Sequence, residues 1–350
     1  DGACMRPLTL TRLLIRCGIL ALILFAVIVV AMKLGAVQVS LYGLGKDLIS
    51  LLLHRTSSLS SDYGMIVLGI RLPRILLAVF VGASLSVAGV SFQALLRNPL
   101  ADPYVLGVSS GAALGAIVAL IVEARLDLTP EMAGLITPVG AFLGAAVTIA
   151  AVYILGRRDG QIDSTTLLLG GIITASFLQA VIMFLMTTLS GNNLRGSAFW
   201  FMGDLSTPQP SSLLYFLSFG FIIAAGAIYT TASDLNLLLA GEKEAMHLGV
   251  DVPRVRIVVY IAASILTGLA VSVSGTIGYV GLLVPHVMRL IFGSDHRMLI
   301  PASALGGAIA LLIADTLART VTSPTDLPVG AVTALAGAPL FIYLLRRRIA

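Results

Sequence analysis

Residues able to do chemistry are scarce in this chain, and the few that stand out do so by spacing. Arg71 and Arg74, in the stretch IRLPRI, are three apart, so a helix would present two guanidinium groups on one face. Such a pair suits snorkelling to lipid headgroups or an outward docking site for an acidic partner. Asp315 and Arg319 are four apart, the spacing of an intrahelical ion pair. A third polar feature is the insert LLLAGEKEAMHLGVDVPRVR, Leu237 to Arg256, between two long apolar runs. Glu242 and Glu244 suit the first turn of a short helix. Met246 and Leu248 offer an apolar contact, and Gly249 with Pro253 would end the helix before the next run.

Other chemistry is missing. No G-x-x-x-x-G-K-[ST] phosphate loop occurs, which excludes nucleotide hydrolysis by that route. His54, His247, His286 and His296 are too scattered for a ligand set, and His286 in LLVPHVMRL reads as a hydrogen-bonded structural histidine. No catalytic residue, metal site or permanently bound cofactor is expected. The apolar runs carry almost no acid apart from Asp315, which disfavours a proton-driven transporter. No repeated filter or charged ring suggests a channel. The net charge of +5 does not point to nucleic acid, because the basic residues are scattered at the ends of apolar runs.

The elements that must position these residues are membrane helices. The chain is 58% hydrophobic and 11% charged, against about 25% charged in soluble domains. Its apolar runs reach spanning length without strand-like alternation. The predicted fold is therefore all-α and integral to the membrane, a single domain over residues 1–350. Ten helices are expected: Leu13–Ala31, Ile75–Leu96, Val105–Val122, Met132–Leu155, Thr165–Leu189, Ser212–Thr230, Ile257–Val273, Tyr279–Ile291, Leu299–Ala318 and Val329–Leu345. Gly275–Pro285 is the stretch that could instead be re-entrant. The first run is read as a retained helix, and an amphipathic piece, LISLLL, follows it.

An even count puts both termini on one side, and Arg12, Arg16 and Arg346 to Arg348 mark that side as cytoplasmic. The polar insert then faces the cytoplasm, while Arg71, Arg74 and Arg319 fall on the outer side against the positive-inside bias. VAGVSFQALLRNP and VSGTIGYVGLLVP share V-x-G and a Pro ten residues after the Gly, a faint echo that fits an inverted repeat. The fifth helix offers Thr174, Gln179, Met183 and Met186, types that suit a wide path for a bulky ligand or ordinary helix packing.

Several long stretches carry a resemblance: IRLPRILLAVFVGASLSVAGVSFQALLRNPLADPYVLGVSSGA, RGSAFWFMGDLS, LNLLLAGEKEAMHLGV, SGTIGYVGLLVPHVMRLIFGSDHRMLIPASALGGAIALLIADTLAR and DLPVGAVTALAGAPLFIYLL. In order and content they resemble the permease family of bacterial type II ABC importers for iron-siderophores, haem and cobalamin. The resemblance implies a ten-helix subunit in the bacterial inner membrane, paired with a second copy of the permease and surrounded by lipid. It implies two cytoplasmic ATPase subunits that carry ATP and Mg, and a periplasmic binding protein on the other face. Ala240, Gly241, Glu242, Ala245, Leu248 and Gly249 match the segment that couples to the ATPase. Arg71, Arg74 and Arg319 match outward arginines that meet acidic residues of the binding protein. The fifth helix and the loop near Gly196 to Gly203 match the region lining and gating the path. The expected cargo is haem or another bulky iron chelate, with cobalamin as the alternative and an ion-driven secondary transporter as the rival class.

Overall fold

The computed structural model describes residues 9–35 and 66–349, apart from 124, 127–128, 159–160, 163, 188–190, 208 and 324. LISLLL and His54 lie outside the described residues. The chain folds into α1 (Leu10–Lys33), α2 (Leu72–Leu95), α3 (Val108–Glu123), α4 (Pro130–Leu155), α5 (Ser164–Met186), α6 (Gly191–Phe201) and α7 (Ser211–Thr230). There follow α8 (Ala232–Ala240), α9 (Glu242–His247), α10 (Val252–Ser274), α11 (Val280–Phe292), α12 (His296–Ala318) and α13 (Val329–Ile349). A π-helical turn, Ile66–Arg71, leads into α2, and a 3-10 turn, Pro103–Leu106, precedes α3. Two-residue strands β1 (Arg157–Arg158) and β2 (Gln161–Ile162) pair antiparallel between α4 and α5.

Each of the ten apolar stretches read from the sequence overlaps a helix, although Val105–Val122 begins in the 3-10 turn and passes through Gly107 before α3. Among the described residues, seven helices are long and apolar enough to cross a membrane, and α3, α11 and the apolar part of α13 are shorter. The main differences lie at helix starts, where polar caps extend the helix beyond its apolar run. Asp251 accepts a hydrogen bond from the Arg254 amide, so α10 begins at Val252 rather than Ile257. Asp295 caps the Arg297 amide and starts α12 at His296.

α2 is the central helix, its apolar window 89% buried, against 6% for α1 at the margin. Around α2 stand α12, α10, α11 and α7. Small residues let these helices approach so closely: Gly82, Ser84, Ser86, Gly89 and Ser91 recur along the buried α2. A Cβ on Gly82 would overlap the Gly307 carbonyl of α12, and one on Gly89 would overlap the Gly281 carbonyl of α11. The two echo segments are thus in direct contact. α3 and α4 form the other close pair, with Gly111 and Gly115 facing Gly144 and Gly140 at a four-residue interval on both helices.

Filling such a contact forces backbones apart, and overpacking typically costs about 1–3 kcal/mol. Gly89→Ala should therefore lower the thermal unfolding midpoint of the purified protein in detergent. Gly226→Ala, whose added methyl meets nothing within 4 Å, should leave the midpoint unchanged. Equal midpoints for both variants would contradict the contact.

Candidate functional site

The polar insert is a short helical hairpin at one end of the bundle. α8 runs into Gly241, and α9 begins at once with Glu242 and Glu244 in its first turn. The insert is pinned from within the chain. The Glu242 carboxylate pairs with Arg97 at 3.3 Å, just past the end of α2, and also bonds Arg256 on α10. Ala245 is fully buried, and its carbonyl accepts the amides of Leu248 and Val250, closing the turn behind it. Gly249 permits that closure by adopting φ of 88°. Met246 and Leu248 remain 53% and 65% exposed, an outward apolar pair. The six residues expected to couple therefore divide. Ala240 to Glu242, Ala245 and Gly249 shape and anchor the segment, while Leu248, beside Met246, is left outward.

At the opposite end of α2, some 36 Å away for a helix of this length, the three expected docking arginines gather with Asp315. Their side chains turn into the chain rather than away from it. Arg71 donates to the Met32 carbonyl at 2.7 Å and Arg319 to the Ala31 carbonyl at 2.6 Å, which satisfies the otherwise unpaired end of α1. Arg74 bridges Asp315 at 2.9 Å and Asp326 at 2.6 Å. Arg71 is only 6% and Arg319 only 7% exposed, so neither is freely offered to a partner in the single chain. Asp326, half-exposed in the loop before α13, is the surface member of the set. The Asp315–Arg319 pair read from i,i+4 spacing is present at 3.6 Å, but Arg74 is the nearer partner of Asp315.

Between the two ends, three stretches leave the helical path and meet about halfway along α2. The first is Ala101–Gly107, the second Gly275–Tyr279, and the third the loop Gly203–Ser206 with Gly330 at the start of α13. Pro103 and the Leu85 carbonyl crowd Gly281. The Tyr104 hydroxyl accepts the Ile277 amide and donates to the Ile277 carbonyl, both at 3.1 Å. Asp204 donates its amide to the Ser274 carbonyl at 2.8 Å, and the Thr276 hydroxyl donates to the Phe201 carbonyl at 2.5 Å. The Gly330 amide donates to the Gly203 carbonyl. Tyr279 is held at φ of 68°, a strained conformation for an aromatic residue. Buried irregular backbone of this kind persists in a membrane only when its polar groups find partners inside the protein.

The loop ahead of α3 is held by short side-chain bonds to its own backbone. Asn98 accepts from the Leu100 amide and Asp102 from the Tyr104 amide, each at 2.9 Å. Sequence reasoning passed over Tyr104 itself. The usable signal was an aromatic residue with a hydroxyl between Pro103 and a buried turn, but its partner Ile277 is 173 residues away.

The expected path residues do not share a face. Gln179, Met183 and Met186 lie within roughly 60° of one another around α5, and Thr174 lies roughly 120–180° from them. Gln179 and Met183 are exposed on the open side of the helix, while Met186 packs toward Ala113 and Ile117. A groove of about 320 Å³ lies elsewhere, between α4 and α10, lined by Phe142, Tyr153, Tyr260 and Ser264 among others, with no charged side chain. Among the described residues, no group of three His, Cys, Asp or Glu side chains could hold a metal.

Two substitutions test this geometry. Asp315→Ala should cost about 3–5 kcal/mol by leaving buried arginines without their counter-charge, read as a lowered unfolding midpoint. Tyr104→Phe should cost about 1–3 kcal/mol, because two buried groups of Ile277 lose their partner. Faster hydrogen exchange at residues 275–279 would be its signature, and unchanged exchange there would refute the bridge.

Comparison with known proteins places these features in context. Residues 21–347 match the FecCD transport family. The cobalamin import system permease protein BtuC of Halobacterium salinarum is 43% identical over 80% of this chain and 73% of its own length. The hemin transport system permease protein HmuU of Yersinia pestis is also 43% identical, over 80% of this chain and 83% of its own. Among solved structures, an inward-facing conformation of what is described as a metal-chelate type ABC transporter superposes with a TM-score of 0.79 at 29% identity. That match covers 95% of this chain and 99% of the other.

Proposed function

Because the chain belongs to the FecCD transport family, a non-catalytic permease subunit of an ABC importer for iron-chelate, haem or cobalamin-type cargo, we propose that it carries haem or another bulky iron chelate. The observation that supports this is the open side of α5. It presents Gln179 and Met183 beside Phe177 and Phe184, and no charged residue occurs from Ser164 to Met186. Such a face suits a large, flat, partly apolar ligand held weakly enough to leave. Cobalamin is the second reading, favoured by the equal identity to the archaeal cobalamin permease.

In this reading the subunit has ten crossings, both termini in the cytoplasm, and a second copy across a central path. The hairpin of α8 and α9 faces the cytoplasm and seats Met246 and Leu248 on an ATPase subunit, with Glu242 holding the hairpin to α2 and α10. The rim held by Arg71, Arg74 and Arg319 receives a periplasmic binding protein, with Arg74 and Asp326 nearest the contact. ATP binding and hydrolysis on the partner move the hairpins, and the path alternates between open sides. Gln179 and Met183 on α5, together with the irregular segments around Gly203, Thr276 and Gly330, form its lining and gate.

The test is ATP-driven uptake by the purified complex in proteoliposomes, with its binding protein and a panel of haem, ferric siderophores and cobalamin. Uptake of haem or a ferric siderophore supports the proposal, and uptake of cobalamin alone replaces it with the second reading. Leu248→Glu should abolish copurification of the ATPase while leaving the permease folded. Retained ATPase with full uptake would remove α9 from the coupling role.

A further inference from the structure

Beyond its continuation into α9, the insert has a second attachment to the bundle. Asn236, half-buried on α8 and five residues before Gly241, reaches the turn between α11 and α12. Its side-chain oxygen accepts the His296 amide at 2.8 Å and lies 2.8 Å from His296 Nδ1. Its side-chain nitrogen donates to the Asp295 carboxylate at 2.7 Å. His296 is 2% exposed, and Asp295 caps α12 through the Arg297 amide at 3.0 Å. Hydrogen bonds from Arg297, and then from Asn236, outweigh partial burial and hold the Asp295 carboxyl below its ordinary range. One amide therefore makes directional bonds to both residues at the head of α12. The remaining contacts of α8 with α12, α10 and α7 rest on apolar side chains such as Leu235 and Leu238. Apolar surfaces can slide over one another, whereas three directional bonds fix position and angle.

α12 can carry a displacement imposed at that head. It runs 23 residues, about 35 Å, and Gly307 packs backbone to backbone with Gly82 of α2. Its far end carries Asp315 and Arg319, the residues that grip Arg74 and the end of α1. The strut is thus fastened to the insert at one end and to the arginine rim at the other.

We propose that Asn236 is a positioning residue for transport, the joint through which the coupling hairpin moves α12 and, with it, the rim on the opposite face. This deepens the importer reading and rests on it. Asn236→Asp would set a second carboxylate against Asp295 and break the joint. The double variant Asn236→Asp with Asp295→Asn exchanges donor and acceptor. It restores the bond between the two side chains, and the new carboxylate at position 236 still accepts from His296. Because Asn236 and the Arg297 amide share Asp295 Oδ1, the exchange weakens the α12 cap and loses the exposed Arg297 ion pair, a cost to stability that the distance readout does not report.

The experiment uses the assembled permease–ATPase complex, with Cys4 and Cys17 replaced by serine and a spin label on Val321→Cys of both copies. The inter-label distance is measured without nucleotide and with a non-hydrolysable ATP analogue. The native chain should show a nucleotide-driven shift. Asn236→Asp, at equal assembly by size exclusion, should reduce that shift at least threefold, and the double variant should restore it. A full shift in Asn236→Asp, or a double variant as impaired as the single one, would overturn the joint. Absence of any ATPase complex or nucleotide-driven shift in the native chain would instead refute the importer reading on which the joint depends.

Discussion

Inside a bilayer a peptide group has no water to bond, so backbone that leaves the helix there must find partners in the protein. The rest of the structure depends on how this constraint is met beside α2. Ala101–Gly107 and Gly275–Tyr279 leave the helical path at about the same level, and the Tyr104 hydroxyl answers both polar groups of Ile277. Once those groups are satisfied, α3 and α11 can start midway along the bundle and remain short. Two short helices beside long ones leave room for irregular segments that can rearrange without unwinding a whole span.

Close glycine contacts provide the complementary rigidity. α2 cannot slide freely against α12 where Gly82 meets Gly307, nor against α11 where Gly89 meets Gly281. These contacts restrict relative sliding of the central helices. The ends of those helices hold the charged networks. Glu242 ties the α8–α9 hairpin to Arg97 and Arg256, and Asp315 ties Arg74 to Arg319. Buried ion pairs contribute little net stability but fix geometry strongly, since losing one partner strands the other.

That distinction bears on the arginines. Their spacing and their position against the inside bias pointed outward, to an acidic partner. In the folded chain Arg71 and Arg319 cap α1 through the carbonyls of Met32 and Ala31, and Arg74 is divided between Asp315 and Asp326. Charge pattern reports that a guanidinium sits near a helix end, and it does not report which carbonyl or carboxylate will reach it first. The same holds for Glu242, read as part of a contact with another subunit and found bonded to two arginines of its own chain.

The sequence by itself determined the membrane class, the helical stretches, the short helix after Gly241 and the family, because hydropathy, capping residues and long ordered motifs are local in the chain. Only the tertiary structure decided that Tyr104 serves Ile277, that Asn236 grips the head of α12, and that Arg71 and Arg319 close the end of α1. Those pairings span from 39 to 288 residues of chain. They are set by which helices pack side by side, and helix packing depends on complementary surfaces that one-dimensional spacing does not encode.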